Sequence, residues 1–396
     1  MYRHNLMIPI RKDVLISIFN PAEFYPPTLN AVEYLAGKYD SVVLVTHSIE
    51  GDNQWKFPEN VEVIFAGQWP VNLGKSGPWK NANRFIRYAL TFRKIFRRNQ
   101  YNLVLLYEPY AVLAYKLATL FYGRRTPMLW YHNHDILEPL SQGKFSIGRF
   151  AIKAEQAIFP ILSIFSLPSN ERKEFFPMHK LKGKYFFIPN YPSKKFYNKF
   201  YKQKTLSHVL RIIFQGRIAE GHGLEDIIAL LSEPIEGKKL SLHLKGMVEN
   251  EYKEKLLALA MDHNVTDKLF FHGLTSYKEV PSLASTCHIG VAIHTKTDIM
   301  NKTLGTSSNK IYEYAALGLP VLLYDNAHFR EHLEKYPWAI FTDCSKNSLQ
   351  LCLGGIVSRY QELSKSAYRD FSEGLNFEEQ VSSVTNYIAE RNAIPV

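Results

Sequence analysis

The chain has 396 residues, 46% of them hydrophobic and 21% charged, which is more material than one core usually holds and makes two folded domains the expectation. Three cysteines without framework spacing (Cys287, Cys344, Cys352) exclude a disulfide-stapled scaffold, and without any Cys-x-x-Cys pair zinc has little support; no metal and no cofactor is expected. A net charge of +11 calls for an anionic partner more than for a particular fold.

The first residues, MYRHNLMIPIRKD, carry too little apolar length for a signal peptide. The most apolar stretch, Ala157 to Leu167, contains Pro160 and falls short of the roughly 20 residues a membrane span needs. A cytoplasmic chain, peripheral on the inner face of a membrane, is the expectation.

Short apolar runs alternate with helical patterns, the signature of parallel strands joined by crossover helices. In the first half, strands are predicted at Asp13 to Phe19, Ser41 to Thr46, Val61 to Ala66, Asn102 to Tyr107, Met128 to His132, Ile161 to Leu167 and Tyr185 to Ile188. Helices begin near Pro27, Trp79, Pro109 and Phe145. The helix from Trp79 to Arg98 sets Phe85, Tyr88, Ala89, Phe92, Ile95 and Phe96 on an apolar stripe. Lys80, Arg84, Arg87, Lys94 and Arg98 lie away from it, and no carboxylate occurs from Val63 to Tyr107. A crossover helix with solvated charges is the plain reading, but such a face usually mixes signs. This face and the loop from Trp69 to Lys80 are therefore expected to meet anionic lipid head groups or a lipid-linked acceptor. A nucleic-acid partner is not expected, since no RNA- or DNA-binding module is present and the aromatics do not interleave with the charges.

Further along, LWYHNHDILEP (Leu129 to Pro139) sets His132, His134 and Asp135 at a strand's carboxyl end. His134 is expected to touch a ligand there. Asp135 either orients it, acts on an acceptor hydroxyl, or merely caps a turn.

The alternation breaks at Pro189 to His208 and then restarts. Strands follow at Leu210 to Gln215, Leu240 to Leu244, Lys268 to Phe271, His288 to Ile293 and Val321 to Tyr324, with helices from Gly223, Glu249, Tyr277 and Ser308 and a helical tail beyond Ser345. The expected organisation is a Rossmann-like domain over 1–192, a linker over 193–208, a second Rossmann-like domain over 209–375, and a last helix over 376–396 packed back on the first. Ligands of open parallel sheets bind beyond the strands' carboxyl ends, so a cleft between the domains is where chemistry is expected.

Two segments of the second half suit a phosphate. IIFQGRIAEGHGLEDII (Ile212 to Ile228) is a strand, a glycine-bearing turn and a helix, with Arg217 able to pair a phosphate in bidentate fashion. It is neither Gly-x-Gly-x-x-Gly nor a P-loop, which disfavours dehydrogenases and nucleoside triphosphatases. SNKIYEYAALGLPVLL (Ser308 to Leu323) opens a helix at Ser308 or Asn309, both good caps, with Lys310 in its first turn and Glu313 on the same face. A capped amphipathic helix with a local ion pair is the plain reading of that segment.

With LHLKG (Leu242 to Gly246) and FFHGLTSYKEVPSLASTCHIGVAI (Phe270 to Ile293), the ordered set Gly-Arg, strand-Gly, Phe-x-Gly and Lys-x-x-Glu-Tyr-x-x-x-Gly-x-Pro-Val resembles glycosyltransferase family 4, with its two-domain GT-B fold. The resemblance implies a retaining, metal-independent hexosyltransferase using a UDP- or GDP-sugar, with a glycan or lipid-linked acceptor in cell-surface polysaccharide or glycolipid synthesis. It implies that Gly216, Arg217 and Lys310 hold the donor diphosphate, Glu313 the ribose, and His272, Gly273 and Leu274 the base. Two positions depart from the family pattern. A Glu common eight residues before the ribose Glu is Gly305 here, which shifts sugar recognition to His294 to Ser307. A Lys common after the Gly-Arg turn is His222, leaving Lys245 or a protonated His222 to complete the clamp. The alternatives are a sugar-nucleotide 2-epimerase-like enzyme and a non-catalytic nucleotide-sugar-binding or membrane scaffold protein.

Overall fold

The computed structural model describes residues 13–49, 55–69, 78–121, 127–137, 143, 146–295 and 304–393. The chain divides into two units, one ending at Phe187 and one running Ile188–Val396.

The first unit is a parallel sheet in the order β3-β2-β1-β4-β5-β6-β7. Its strands are β1 (Asp13–Ile18), β2 (Ser41–Ile49), β3 (Val61–Trp69), β4 (Leu103–Tyr107), β5 (Met128–His132), β6 (Ile164–Leu167) and β7 (Lys184–Phe187). The central strands are almost continuously apolar because helices cover both faces, whereas the edge strand β3 is largely half-exposed. Helices α1 (Pro26–Ala36), α2 (Pro78–Arg98), α3 (Glu108–Thr119) and α4 (Ile147–Ile158) make the crossovers. The expected stripe of α2 faces the sheet: Phe85, Tyr88, Phe92 and Phe96 are buried. Each such ring contributes roughly 1.5–3 kcal/mol.

The second unit repeats the plan in the order β10-β9-β8-β11-β12-β13, again all parallel. Its first elements are α5 (Lys194–Tyr197), β8 (Val209–Gln215), α6 (Leu224–Leu230), β9 (Lys239–Lys245), α7 (Asn250–Asp262), β10 (Leu269–Gly273), α8 (Val280–Ala284) and β11 (Ile289–Ala292). There follow α9 (Leu304–Ser307), α10 (Asn309–Ala316), β12 (Val321–Tyr324), α11 (Ala327–Leu333), β13 (Ala339–Thr342), α12 (Lys346–Ser358), α13 (Tyr360–Glu373) and α14 (Phe377–Ala393). Within this unit Glu378 of α14 accepts from the Ser193 hydroxyl and from the backbone N–H groups of Lys194 and Lys195. The edge strand β13 and the helix α11 are additions to the elements predicted from sequence. Most of the Trp69 to Lys80 loop and of the His294 to Ser307 loop lies outside the described residues. Among the described residues no helix is long and apolar enough to cross a membrane.

Both sheets reverse strand order once, at β1/β4 and at β8/β11. Crevices open at such reversals, beyond the strands' carboxyl ends.

Candidate functional site

At the second unit's reversal, β8, β9 and β10 end in Gly216, Gly246 and Gly273, with φ of +120°, +140° and +66°. Only glycine adopts such angles freely. Gly246 is also sterically obligatory, since a Cβ there would sit 1.8 Å from the Gly216 carbonyl oxygen. The result is a floor of bare main chain at the sheet's edge.

Lys310, in the first turn of α10, reaches that floor. Its Nζ stands 4.3 Å from the centre of the Phe214 ring, and a Cβ built on Gly216 would lie 3.5 Å from it. Burial pushes its ammonium down to about 8, with Glu313 opposing. No carboxylate lies within ion-pair distance of Lys310 among the described residues, so a half-buried cation stands without a matched charge. His222 turns its Nδ1 to the Ile293 carbonyl at 3.0 Å, and its ring meets that of His294 at 4.8 Å. His294, at the end of β11, is pushed by burial and then by Lys310 down to about 2, and its Nε2 has no partner. Lys245 is buried at the end of β9, and burial lowers its ammonium.

The other expected donor residues are placed as follows. Ser308 is buried and precedes α10 without a side-chain cap bond, and Asn309 is half-buried. Glu313 is buried, one oxygen accepting from the Gln215 amide and the other from the Tyr277 hydroxyl at 2.9 Å. Burial raises its carboxyl. His272 and Gly273 close β10 and Leu274 follows it, all three exposed, with His272 3.0 Å from His243. The Arg217 guanidinium pairs with Glu249 at 2.8 Å, both side chains largely in solvent.

Gly305 has a packing reason. A Cβ there would stand 2.7 Å from His332 Cδ2 and 3.0 Å from His328 Nε2, and the Gly305 N–H donates to His328. These histidines form a His-x-x-x-His pair on α11 that the expectation of no metal passed over. Gly305→Glu therefore overpacks the site. A loss of about 1–3 kcal/mol, read as a lowered Tm, with no gain in sugar transfer is the expected outcome.

At the first unit's reversal stand Asn20, just beyond β1, and Glu108, just beyond β4. Glu108 is buried with φ +69°, a strained angle for a residue with a side chain. Asn20 donates to its Oε1 at 2.8 Å, while its Oε2 has no partner. Burial pushes its carboxyl up to about 8, with Asp135 adding to the rise. His134 is stacked between Tyr107, centroids 4.5 Å apart, and Tyr25, 5.4 Å apart. Its Nε2 lies 3.0 Å from the Thr28 hydroxyl and its Nδ1 is unpartnered. Burial, then His132 and Arg172, hold it well below the usual imidazole range, so it is neutral. Asp135 interacts with Arg172 and with the Tyr25 hydroxyl, and burial raises its carboxyl. Asn20, Tyr25 and Glu108 escape a sequence reading. Only a polar residue directly after each apolar strand hints at the first and last.

On α2, Lys80, Arg87, Lys94 and Arg98 are exposed and Arg84 is half-buried. Trp79, Ile86 and Leu90 are exposed among them, so the outer face combines cations with large apolar groups.

Two tandem parallel sheets of this kind, each with its crevice at a strand reversal, define the GT-B class. Residues 198–350 match the family described as Glycosyl transferases group 1. Solved structures agree in fold. Sucrose-phosphate synthase (tll1590) from Thermosynechococcus elongatus is 14% identical with a TM-score of 0.66, covering 97% of this chain and 100% of its own. Anabaena HepE in complex with UDP and glucose is 13% identical with a TM-score of 0.63, covering 96% and 100%. WaaG, a glycosyltransferase involved in lipopolysaccharide biosynthesis, is 15% identical with a TM-score of 0.60, covering 95% and 99%. No curated protein sequence matches the chain. The second unit carries a glycosyl transferases group 1 domain, and the chain is a glycosyltransferase.

Proposed function

We propose that the enzyme transfers a hexose from a UDP- or GDP-sugar, with retention and without a metal, to a glycan or lipid-linked acceptor of a cell-surface polysaccharide or glycolipid. The observation that carries this reading is Lys310, a desolvated cation without a carboxylate partner, set against the glycine floor of the second unit. In a transfer of this kind negative charge grows on the leaving diphosphate, and a preorganised cation at that place lowers the barrier. The phosphates lie on the main chain of Gly216, with Lys310 as their point charge and Lys245, His222 and Arg217 as further donors. For Arg217 this requires release from Glu249, an exposed pair whose loss costs little. The base rests on the turn at His272, Gly273 and Leu274. Glu313 takes the ribose, exchanging its Gln215 or Tyr277 bond for a sugar hydroxyl. HepE, bound to UDP and glucose in its own structure, lends support to the donor class.

On the first unit, His134 serves the sugar being moved, and Glu108, with its free oxygen, and Asp135 serve the acceptor hydroxyl. The outer face of α2, where exposed Trp79, Ile86 and Leu90 mix with cations, suits an anionic membrane surface at which a lipid-linked acceptor resides.

A thermal-shift series with UDP-, GDP-, ADP- and CMP-sugars tests the donor assignment, because a ligand that binds only the native state raises Tm. A rise for one UDP- or GDP-sugar, abolished in Lys310→Ala, is expected. No rise with any of the four classes overturns the assignment.

A further inference from the structure

The first unit contains a further concavity beside its strand-reversal cluster, for His47 bonds to the carbonyl of Phe19, the residue before Asn20. Residues of β2, β3 and α2 enclose a pocket of about 190 Å³ lined by His47, Ala66, Gly67, Gln68, Lys80, Asn83, Arg84 and Arg87. That is below the 300–1,000 Å³ typical of sites for whole drug-sized ligands, and suits a single small group.

Its charge is of one sign. Lys80, Arg84 and Arg87 line it, and among the described residues none of the three has a carboxylate partner. Arg84 is held in place by stacking on Trp69, its guanidinium carbon 4.3 Å from the ring centre, and by Asn81 at 3.3 Å. Beside these cations His47 is only 2% exposed, wedged between Phe19, Trp69 and Tyr88. Its Nδ1–H donates to the Phe19 carbonyl, which fixes the tautomer. The opposite ring edge faces Gly67, and its Nε2 has no hydrogen-bond partner. Burial, and secondarily Arg84, pull His47 down to about 4, so at neutral pH this nitrogen is an acceptor. A buried acceptor left unsatisfied is costly, and a ligand hydroxyl recovers that cost.

The geometry points to a subsite for a phosphorylated polyol or sugar: the phosphate held by Arg84, Arg87 and Lys80, and an adjacent hydroxyl donating to Nε2 of His47. The chemistry is shared by a free sugar phosphate and by the phosphate of a lipid head group. This assignment narrows the acceptor reading above and rests on it for its role in transfer, but not for the existence of the site.

The test is titration of the full chain at low salt with glucose 6-phosphate, with glucose, and with vesicles of phosphatidylglycerol or phosphatidylcholine. A UDP- or GDP-sugar titration runs in parallel. Glucose 6-phosphate or phosphatidylglycerol is expected to bind, whichever source is native, and glucose and phosphatidylcholine are not. Arg84→Gln/Arg87→Gln is expected to lose at least tenfold in that affinity with Tm and donor binding unchanged. Lys180→Gln/Lys182→Gln, the same charge change at exposed positions of the first unit outside α2, is expected to stay within twofold. Equal losses in both double variants would reduce the pocket to general electrostatic attraction and overturn the proposal, as would the absence of binding to both phosphate probes. Phosphate binding without donor binding would keep this site and remove the donor reading instead.

Discussion

Lys310→Met is expected to lower kcat/KM for sugar transfer about 10²- to 10³-fold, while the protein melts at a higher temperature than wild type. The rate loss follows from removing a preorganised charge at the departing diphosphate. The stability gain follows from the same burial: the fold depresses the ammonium from 10.5 to about 8, so below that pH it carries the cost of a charge it does not favour. Methionine keeps the aliphatic stem against Phe214 and discards the charge. Initial rates and a thermal melt at pH 7 check both halves. A merely structural lysine would give the reverse, a less stable protein with a near-normal rate. Since the folded-state value is about 8, donor affinity of the wild type is also expected to weaken as pH rises past that point.

Glu108→Gln is expected to lower kcat about 10²-fold with the donor KM little changed, the size expected for losing an acid–base group. In the wild type the rate should rise with pH through a midpoint near 8, as the carboxyl that burial has raised gives up its proton. That limb should vanish in the variant. Stability gives an independent reading. A carboxyl raised from 4.5 to about 8 contributes stability that is fully present below 4.5 and is lost as pH rises through 8. Glutamine never ionises and still accepts from Asn20, so the variant should match wild type at pH 5 and melt above it at pH 9. An unchanged rate and pH profile would remove Glu108 from the chemistry and leave it a strained structural residue.

These two positions differ in how far they can be read from sequence. Lys310 lies in a motif whose order along the chain carries meaning, and the glycines of β8, β9 and β10 stand in the same ordered set. Glu108 has no local pattern. What marks it is a backbone φ of +69° and a partner, Asn20, that lies 88 residues away in the chain. The parallel strands were legible because central strands buried on both faces are continuous apolar runs. The stripe of α2 was legible because its period is helical. The edge strand β13 was not, although β7, an edge strand of the same length, was. Side-chain direction was also illegible: nothing local told that Arg217 would turn to Glu249, or that α11 would bring His328 and His332 against Gly305.

The glycine floor limits how this enzyme can diverge. Main chain offers the same N–H and C=O groups whatever the neighbouring side chains are, and at Gly246 even a methyl group collides with Gly216. Evolution or engineering that seeks a different sugar must therefore leave that surface alone and rewrite the walls around it, at His222, His294 and the residues leading into α10. Libraries confined to those walls should yield altered preference with intact folding, whereas libraries that include the three strand ends should be dominated by collapsed proteins.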